Sequence, residues 1–192
     1  MKRALIIHGF TETPSQYWYA EEVKFLESLG YEATAPQMPH RFTPLENSWL
    51  KVIEDFAPDE ETVLIGHSLG GNIILEFLEK TGQRVDKLIL AGTPIRHSEK
   101  LKIGDQNSFK LYREAIAIEC LLDLCGYEEI YDWEKIKDSV NTVHLVYKKD
   151  DVLVPLDDGK ILAQRLDGVL QILEGHDHVN YVEMNVLNKG LL

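Results

Sequence analysis

The feature that most constrains the fold is a glycine-rich turn, Gly-His-Ser-Leu-Gly at residues 66–70, between two segments of different periodicity. Residues 62–65 before it form a short, continuously apolar run that is typical of a buried strand, and residues 72–79 after it follow a helical pattern. A chain that changes from strand to helix within so few residues makes a tight turn, in which the two glycines leave room beside Ser68. The sequence therefore predicts a strand–turn–helix unit that packs into a sheet.

The rest of the chain alternates short apolar runs with amphipathic helical patterns, and Gly30 and Gly82 each follow the end of a predicted helix. Repeated strand–helix units with continuously apolar strands predict an α/β fold, with a mostly parallel central sheet and helices on both of its faces. The predicted strands are residues 4–7, 31–35, 62–65, 87–90, 141–147 and 169–173, and the predicted helices are residues 15–29, 45–56, 69–81 and 156–166.

One segment, residues 95–131, separates two predicted strands by more chain than a single helix requires. It begins with polar residues and continues into an apolar helical stretch, residues 111–124, which predicts a small insertion over the carboxyl edge of the sheet that could act as a lid. Two cysteines in this region, Cys120 and Cys125, are interpreted as core or half-buried thiols rather than as a disulfide framework. With no repeat, low-complexity tract or linker in the sequence, residues 1–192 are expected to form one domain.

The charge of the chain limits its expected partners. Acidic residues outnumber basic ones by 32 to 20, which gives a formal net charge of −12. A chain with this charge repels phosphate backbones and acidic phospholipids, so neither nucleic acid nor a membrane surface is an expected partner. No run approaches the ~18 apolar residues of a membrane helix, and the N-terminal apolar run is too short for a signal peptide. We therefore expect a cytoplasmic protein that acts on a small molecule, and the sequence does not indicate its oligomeric state.

Ser68 is the candidate nucleophile. The pattern Gly-x-Ser-x-Gly between a strand and a helix is typical of a nucleophile elbow, in which the serine hydroxyl projects from the turn. The N-terminus of the following helix favours negative charge near this hydroxyl. A serine needs a general base to remove its proton, and the base needs a carboxylate to orient it. In folds of this type the three residues follow in the order serine, acid, histidine, so the partners are expected after Ser68.

The candidate acids are two aspartates, Asp150 and Asp151, which lie just beyond the predicted strand of residues 141–147. Site residues gather at the carboxyl ends of strands in an open α/β sheet, so this position suits the acid. Asp151 is preferred. The other aspartate is interpreted as a solvated turn residue.

Two histidines, His176 and His178, compete for the role of general base in the loop after the last predicted strand. His176 directly follows a glycine, whereas His178 has a slightly longer loop with which to reach back over the sheet. His178 is preferred and His176 stays an alternative. The sequence His-Asp-His could also indicate a metal site, but three ligands so close on one loop are geometrically poor and no other histidine or cysteine cluster completes them. No metal is therefore predicted.

An oxyanion hole would complete such a site, because negative charge develops on the carbonyl oxygen when a serine attacks. One donor is expected to be the backbone N–H of Leu69, directly after the serine. The second is expected in the loop after the first strand, where the backbone N–H of Phe10 is preferred and Gly9 permits the turn.

Four motifs, in order along nearly the whole chain, form a pattern shared with a known protein family. They are Ile7-His8-Gly9 with Trp18 shortly after it, Met38-Pro39 leading to Ser48-Trp49-Leu50, the turn at residues 66–70, and Asp132-Trp133-Glu134-Lys135-Ile136-Lys137 before the strand that leads to Asp151. In these motifs the chain resembles the small α/β-hydrolases of the retinoblastoma-binding protein 9 and YdeN-like family. The tryptophan motifs are fairly specific, whereas the serine turn is shared by the whole superfamily.

The resemblance implies an α/β-hydrolase fold with a compact core and a Ser-Asp-His triad. By motif, the family's acid corresponds to Asp151, and the family's histidine, 27 residues further on, falls on His178. The family usually has glycine before this histidine, where this chain has Asp177. That departure keeps His176 as an alternative.

The expected activity is that of a serine hydrolase, a carboxylesterase acting on small esters, with amides or thioesters as further substrate classes. Such an enzyme needs no cofactor. Two other functions stay open: an inactive binding protein that keeps the fold, and an acyltransferase. The intact serine, aspartate and histidine argue against the first, whereas hydrolysis and transfer would use the same triad.

Overall fold

The computed structural model describes residues 2–40, 46–95 and 131–180. In chain order its elements are β1 (Arg3–Ile7), α1 (Tyr19–Ser28), β2 (Glu32–Thr34), α2 (Glu46–Phe56), β3 (Thr62–His67), α3 (Leu69–Thr81), β4 (Val85–Ala91), α4 (Trp133–Asp138), β5 (Val140–Lys148), α5 (Leu156–Leu166) and β6 (Val169–Leu173). The six strands form one sheet in the order β2-β1-β3-β4-β5-β6, and every neighbouring pair is parallel. Parallel strands need crossover connections, which the helices provide.

The central strands are continuously apolar because helices cover both faces of the sheet. All six residues of β3 are buried. Successive side chains point to opposite faces, so Leu5 and Leu64 pack in a core with α2, α3 and α5, whereas Ile6 and Ile65 pack with α1. The predicted α/β fold, with helices on both faces of a parallel sheet, is confirmed.

Helix α1 begins at Tyr19, about one turn later than the sequence predicts. The residues before it form a loop in which Thr11 and Tyr17 have left-handed backbone, with φ of 63° and 52°. A side chain closes one of its turns, since the backbone N–H of Gly9 donates to the Glu12 carboxylate at 2.7 Å. The predicted start of the helix at residue 15 is wrong because Tyr17 has a left-handed backbone, which a right-handed helix cannot contain, so the helix begins only after it.

Helix α4 is not predicted by the sequence. Its six residues are too few for a helical period to stand out. Its cap was recognisable, because Asp132 is a good N-cap residue and its side chain accepts a hydrogen bond from the backbone N–H of Lys135 at 3.1 Å. The helices of the described ranges contain 6 to 13 residues, and none is long and apolar enough to cross a membrane.

The predicted insertion at residues 95–131 is described only at its two ends. Its predicted helix, residues 111–124, and both cysteines lie outside the described residues. At the first end the backbone N–H of Ile95 donates to the carboxylate of Asp158 in α5 at 2.9 Å. At the second end the ring centroid of Tyr131 lies 4.9 Å from that of Trp133 in α4. Helices α5 and α4 therefore anchor the two ends.

Glu22 is a fully buried side chain of α1 whose carboxylate oxygens have no hydrogen-bond partner within the described ranges. Burial raises the pKa of Glu22 from 4.5 to about 7, because the charged form loses its hydration. The folded protein therefore binds this proton more tightly than the unfolded chain does. As a result, the contribution of Glu22 to stability falls as the pH rises from 4.5 through about 7.

We expect Glu22→Gln to raise the free energy of unfolding by about 3 kcal/mol near pH ~8.5 and to leave it nearly unchanged near pH ~4. The reason is that glutamine stays neutral, so it avoids the cost of a buried charge that only the higher pH imposes. Urea unfolding at both pH values measures the difference, with Glu21→Gln at an exposed position of the same helix as the control. An equal stabilisation at both pH values would contradict the effect of the raised pKa.

Candidate active site

Ser68 occupies the sharp turn between β3 and α3. Its backbone has φ 50° and ψ −124°, a combination that residues with a side chain rarely adopt. The neighbouring strand holds the turn, since the backbone N–H of Ser68 donates to the carbonyl oxygen of Ala91 at the end of β4, at 2.9 Å. This strained backbone places a serine at the carboxyl edge of the sheet, directly before the N-terminus of α3.

Three glycines around this turn lie so close to neighbouring atoms that no side chain would fit at their positions. A Cβ at Gly66 would lie 2.5 Å from the Cα of Gly71, and one at Gly71 would lie 2.0 Å from Oγ1 of Thr93. A Cβ at Gly70 would lie 2.2 Å from the backbone carbonyl oxygen of Ile7. These distances are well inside van der Waals contact. The glycines thus allow the start of α3 to pack directly on the ends of β1 and β4.

We expect Gly70→Ala to lower the free energy of unfolding by about 3 kcal/mol or more, because the new methyl group forces the backbones of α3 and β1 apart. Urea unfolding curves measure the loss. Gly30→Ala is the matched control: Gly30 also has a special conformation, with φ 86°, but no atom lies within 4 Å of its missing Cβ. It should cost only about 1 kcal/mol, from the left-handed backbone. Equal losses at the two positions would argue against the steric explanation.

Asp151 and His178 form a hydrogen-bonded pair beyond the carboxyl ends of β5 and β6. His178 Nδ1 lies 2.8 Å from Asp151 Oδ2, and the two side chains are only 8% and 0% exposed. The other carboxylate oxygen, Oδ1, accepts from the backbone N–H groups of Leu153 and Val154 at 2.8 and 3.0 Å. A carboxylate in these contacts is an acceptor, so the imidazole carries its hydrogen on Nδ1 and presents Nε2 as its basic atom.

The loop after β6 carries His178 back over the sheet toward Ser68. A Cβ at Gly92, the residue after β4, would lie 3.2 Å from Cε1 of His178. The imidazole centroid lies 5.1 Å from that of His67, the residue that precedes Ser68. Because β4 is the neighbour of β3, the imidazole lies beside the turn that carries the serine.

The alternative acid and base have different surroundings. His176 is exposed, and within the described ranges its imidazole makes no hydrogen bond or ion pair. Its backbone carbonyl accepts from the N–H of Val152 at 3.3 Å. Asp150 is exposed as well. The structure therefore brings Asp151 and His178 together and keeps the other aspartate and histidine apart from this pair.

The two expected oxyanion donors belong to segments that are in contact. Leu69 is the first residue of α3, and Phe10 stands in the loop after β1. These segments meet where Gly70 lies against the backbone at the end of β1. The hydrogen bond from the Gly9 N–H to Glu12 fixes the turn just before Phe10. Both backbones therefore lie at the same edge of the sheet, beside the serine turn.

A buried polar network of Glu12, Tyr19 and His67, called here the Glu12 network, lies next to the serine turn and is not predicted by the sequence. The Tyr19 hydroxyl donates to Glu12 Oε2 and lies 2.5 Å from His67 Nδ1. The same His67 nitrogen lies 3.1 Å from Glu12 Oε2. A glutamate in a polar loop is usually exposed, so no sequence pattern pointed to these residues.

Charge and burial act in opposite directions on this network. Although burial raises the pKa of Glu12, the charge of His67 and hydrogen bonds from His67, Tyr19 and the Gly9 N–H lower it overall. Although burial lowers the pKa of His67, the charge of Glu12 and hydrogen bonds to Glu12 and to the backbone carbonyl of His178 raise it overall. The lowered pKa of Glu12 and the raised pKa of His67 both favour an ion pair of a Glu12 carboxylate and a His67 imidazolium. Burial and the Glu12 charge also raise the pKa of Tyr19, whose hydroxyl stays a donor.

Two tryptophans from the sequence motifs have structural roles and are buried. Trp49 Nε1–H donates to the carbonyl oxygen of Pro39 at 2.7 Å, which ties α2 to the segment after β2. Trp18 Nε1–H donates to the carbonyl oxygen of Val179 at 3.0 Å. Trp18 therefore holds the backbone directly after His178, and both tryptophans act as packing anchors.

A parallel six-stranded sheet, with a strained serine between β3 and α3 at its carboxyl edge, defines an α/β-hydrolase fold. Comparison with known families agrees with this assignment. Residues 5–119 match the family described as alpha/beta hydrolase fold, and the chain belongs to this family.

Relatives of this chain carry the names of hydrolases. It is 26% identical to the hydrolase YdeN of Bacillus subtilis over 181 residues, 92% of this chain and 85% of YdeN. It is 28% identical to the serine hydrolase RBBP9 of Rattus norvegicus over 192 residues, 96% of this chain and 91% of RBBP9. The crystal structure of YdeN matches with a TM-score of 0.77 at 25% identity, over 93% of this chain and 88% of YdeN. These matches confirm the resemblance found in the motifs and, with the fold, support a hydrolase.

Proposed function

We propose that the protein is a serine hydrolase, a carboxylesterase acting on small esters, with Ser68, His178 and Asp151 as its triad. The observation that carries the proposal is the pairing of His178 with Asp151 beside the strained serine turn. This hydrogen bond leaves the imidazole with a basic Nε2, which is what a serine nucleophile requires. The names of the relatives support hydrolysis as the reaction class.

In the acylation half-reaction, Ser68 Oγ attacks the carbonyl carbon of the ester while His178 Nε2 takes the hydroxyl proton. Asp151 accepts the hydrogen bond from Nδ1–H and stabilises the imidazolium that forms. The backbone N–H groups of Phe10 and Leu69 donate to the oxygen on which negative charge develops. The intermediate then expels the alcohol, which takes the proton from His178, and an acyl group stays on the serine.

Water completes the reaction. His178 takes a proton from the water molecule as its oxygen attacks the acyl carbonyl, and the serine oxygen leaves with that proton when the carboxylic acid is released. These steps use only groups of the chain, so the proposed reaction needs no cofactor. An acyltransferase would follow the same steps with a different acceptor in place of water.

Two apolar side chains beside the acid support a substrate with an apolar group. Val152 and Leu153 follow Asp151 directly and are 74% and 61% exposed. Apolar side chains next to the proposed acid could contact an apolar part of the substrate, because ligand pockets are lined mainly by such side chains. A panel of p-nitrophenyl esters with acyl chains of increasing length would measure the preference through kcat/KM.

The test of the proposed function is labelling with a fluorophosphonate, a reagent that bonds covalently to activated serines. We expect one label per chain, located at Ser68 by peptide mass spectrometry, together with turnover of p-nitrophenyl acetate. If the protein stays unlabelled under conditions that label a control hydrolase, it is a binding protein rather than an enzyme of this class. If it is labelled but turns over esters only with an added alcohol acceptor, it is an acyltransferase.

A further inference from the structure

The Glu12 network lies outside the proposed triad but touches three segments of the proposed site. The Glu12 carboxylate accepts from the backbone N–H of Gly9 at 2.7 Å, in the loop expected to carry an oxyanion donor. His67 precedes Ser68 in the serine turn, and its Nε2 lies 2.8 Å from the backbone carbonyl oxygen of His178. The network therefore links the oxyanion loop, the serine turn and the histidine loop.

The hydrogen positions in the network follow from the partners of each atom. A backbone carbonyl oxygen only accepts, so the Nε2 of His67 carries a hydrogen and donates it to the His178 carbonyl. The Tyr19 hydroxyl gives its one hydrogen to Glu12. The Nδ1 of His67, close to the oxygens of both residues, therefore carries a hydrogen as well. With both nitrogens protonated, His67 is an imidazolium and Glu12 is its counter-ion.

The backbone that His67 contacts is strained. Val179 has φ 55°, which is rare for a β-branched residue, and it is fully buried. Its carbonyl accepts from Trp18, while the carbonyl of His178 accepts from His67. Two side-chain donors on consecutive carbonyls thus hold a conformation that persists only when its surroundings impose it. The position of the His178 imidazole depends on these two donors.

On the basis of the proposed function, we propose that Glu12 and His67 are positioning residues for ester hydrolysis. Their buried ion pair, which also contacts the Tyr19 hydroxyl, fixes the positions of the oxyanion loop and of the His178 loop relative to Ser68. The pair acts on the rate of the chemical step rather than on substrate affinity, because it contacts the site's backbone and not the position of the ester. A misplacement of about 1 Å can cost on the order of 100-fold in rate.

The test is Glu12→Gln, which keeps the shape of the side chain and removes its charge. We expect kcat for p-nitrophenyl acetate to fall about 10- to 100-fold while KM changes by less than about twofold, at a temperature where the variant is folded. The rate of fluorophosphonate labelling at Ser68 should fall in parallel. Tyr19→Phe, which removes only one hydrogen bond from the carboxylate, should lower kcat about three- to tenfold and replaces Glu12→Gln if that variant does not fold.

A double variant tests whether the two residues act as a unit. His67→Gln keeps a donor near the His178 carbonyl and removes the positive charge. Because both substitutions break the same ion pair, kcat of Glu12→Gln combined with His67→Gln should lie within about twofold of the lower single variant. Losses that multiply would mean independent roles and would overturn the proposal.

Glu22→Gln is the matched control, because it makes the same change at another buried glutamate, which lies in α1 and does not belong to the Glu12 network. Its kcat should stay within about twofold of the wild-type value. An unchanged kcat in folded Glu12→Gln, or a raised KM with unchanged kcat, overturns the positioning role. A wild-type protein that neither labels nor turns over esters overturns the proposed function instead, so the two failures are distinguishable.

Discussion

Replacing Ser68 with alanine is expected to abolish ester hydrolysis and to leave the protein folded. The substitution removes the oxygen that attacks the ester, so kcat should fall at least about 10⁴-fold, toward the rate that binding and the oxyanion donors alone sustain. The free energy of unfolding should change by less than about 1 kcal/mol, since no described residue hydrogen-bonds the Ser68 hydroxyl. Initial rates with p-nitrophenyl acetate and urea unfolding measure the two effects.

Two further variants separate chemistry from backbone strain at this position. Ser68→Gly should be as inactive as Ser68→Ala but more stable than the wild type by about 1 kcal/mol, because glycine tolerates the positive φ of 50°. Ser28→Ala, at an exposed position at the end of α1, should turn over esters at the wild-type rate. Retained hydrolysis in folded Ser68→Ala would show that another residue is the nucleophile.

Replacing His178 with alanine is expected to lower kcat by about 10⁴-fold or more, because Ser68 then has no base to take its proton. His176→Ala should stay within about twofold of the wild-type rate, since the imidazole of His176 is exposed and His178 contacts Asp151 instead. The two variants carry the same substitution two residues apart in one loop, so each controls for the other.

Initial rates with an ester panel, together with labelling rates at Ser68, measure this contrast. Labelling of His178→Ala should be slowed as strongly as its turnover, because both reactions need the activated serine. If only His176→Ala loses activity, the assignment of the base is wrong and the loop after β6 moves when substrate binds. If neither variant loses activity, the triad itself is wrong.

Most of the fold could be predicted from local sequence patterns. The bounds of α3, α5 and β6 agree with the prediction because each element starts and stops at a strong local signal, such as the glycine after α3. The start of α1 differs from the prediction because Tyr17 has a left-handed backbone with φ 52°, which apolar periodicity does not indicate. Helix α4 is not predicted by the sequence because its six residues hold fewer than two turns.

The serine turn could be predicted from the sequence, whereas the Glu12 network could not. Ser68 was identified because a strand, a turn and a helix within about twenty residues impose steric demands that only small residues meet. Glu12 and Tyr19 lie within seven residues of each other, but His67 follows 48 residues after Tyr19, and all three carry side chains that are common on surfaces and in cores alike. Nothing near any of them in the sequence indicates that they meet in the interior.

The sequence by itself determined the alternation of strands and helices, the side of the sheet where the site belongs and the serine in its turn, because these follow from short-range periodicity and sterics. The tertiary structure alone decided which aspartate and which histidine pair, since the two residues are 27 positions apart and meet only because β5 and β6, the strands before them, are neighbours in the sheet. It alone also joined Glu12 to His67, because a buried charge is stable only beside a partner that long-range folding supplies.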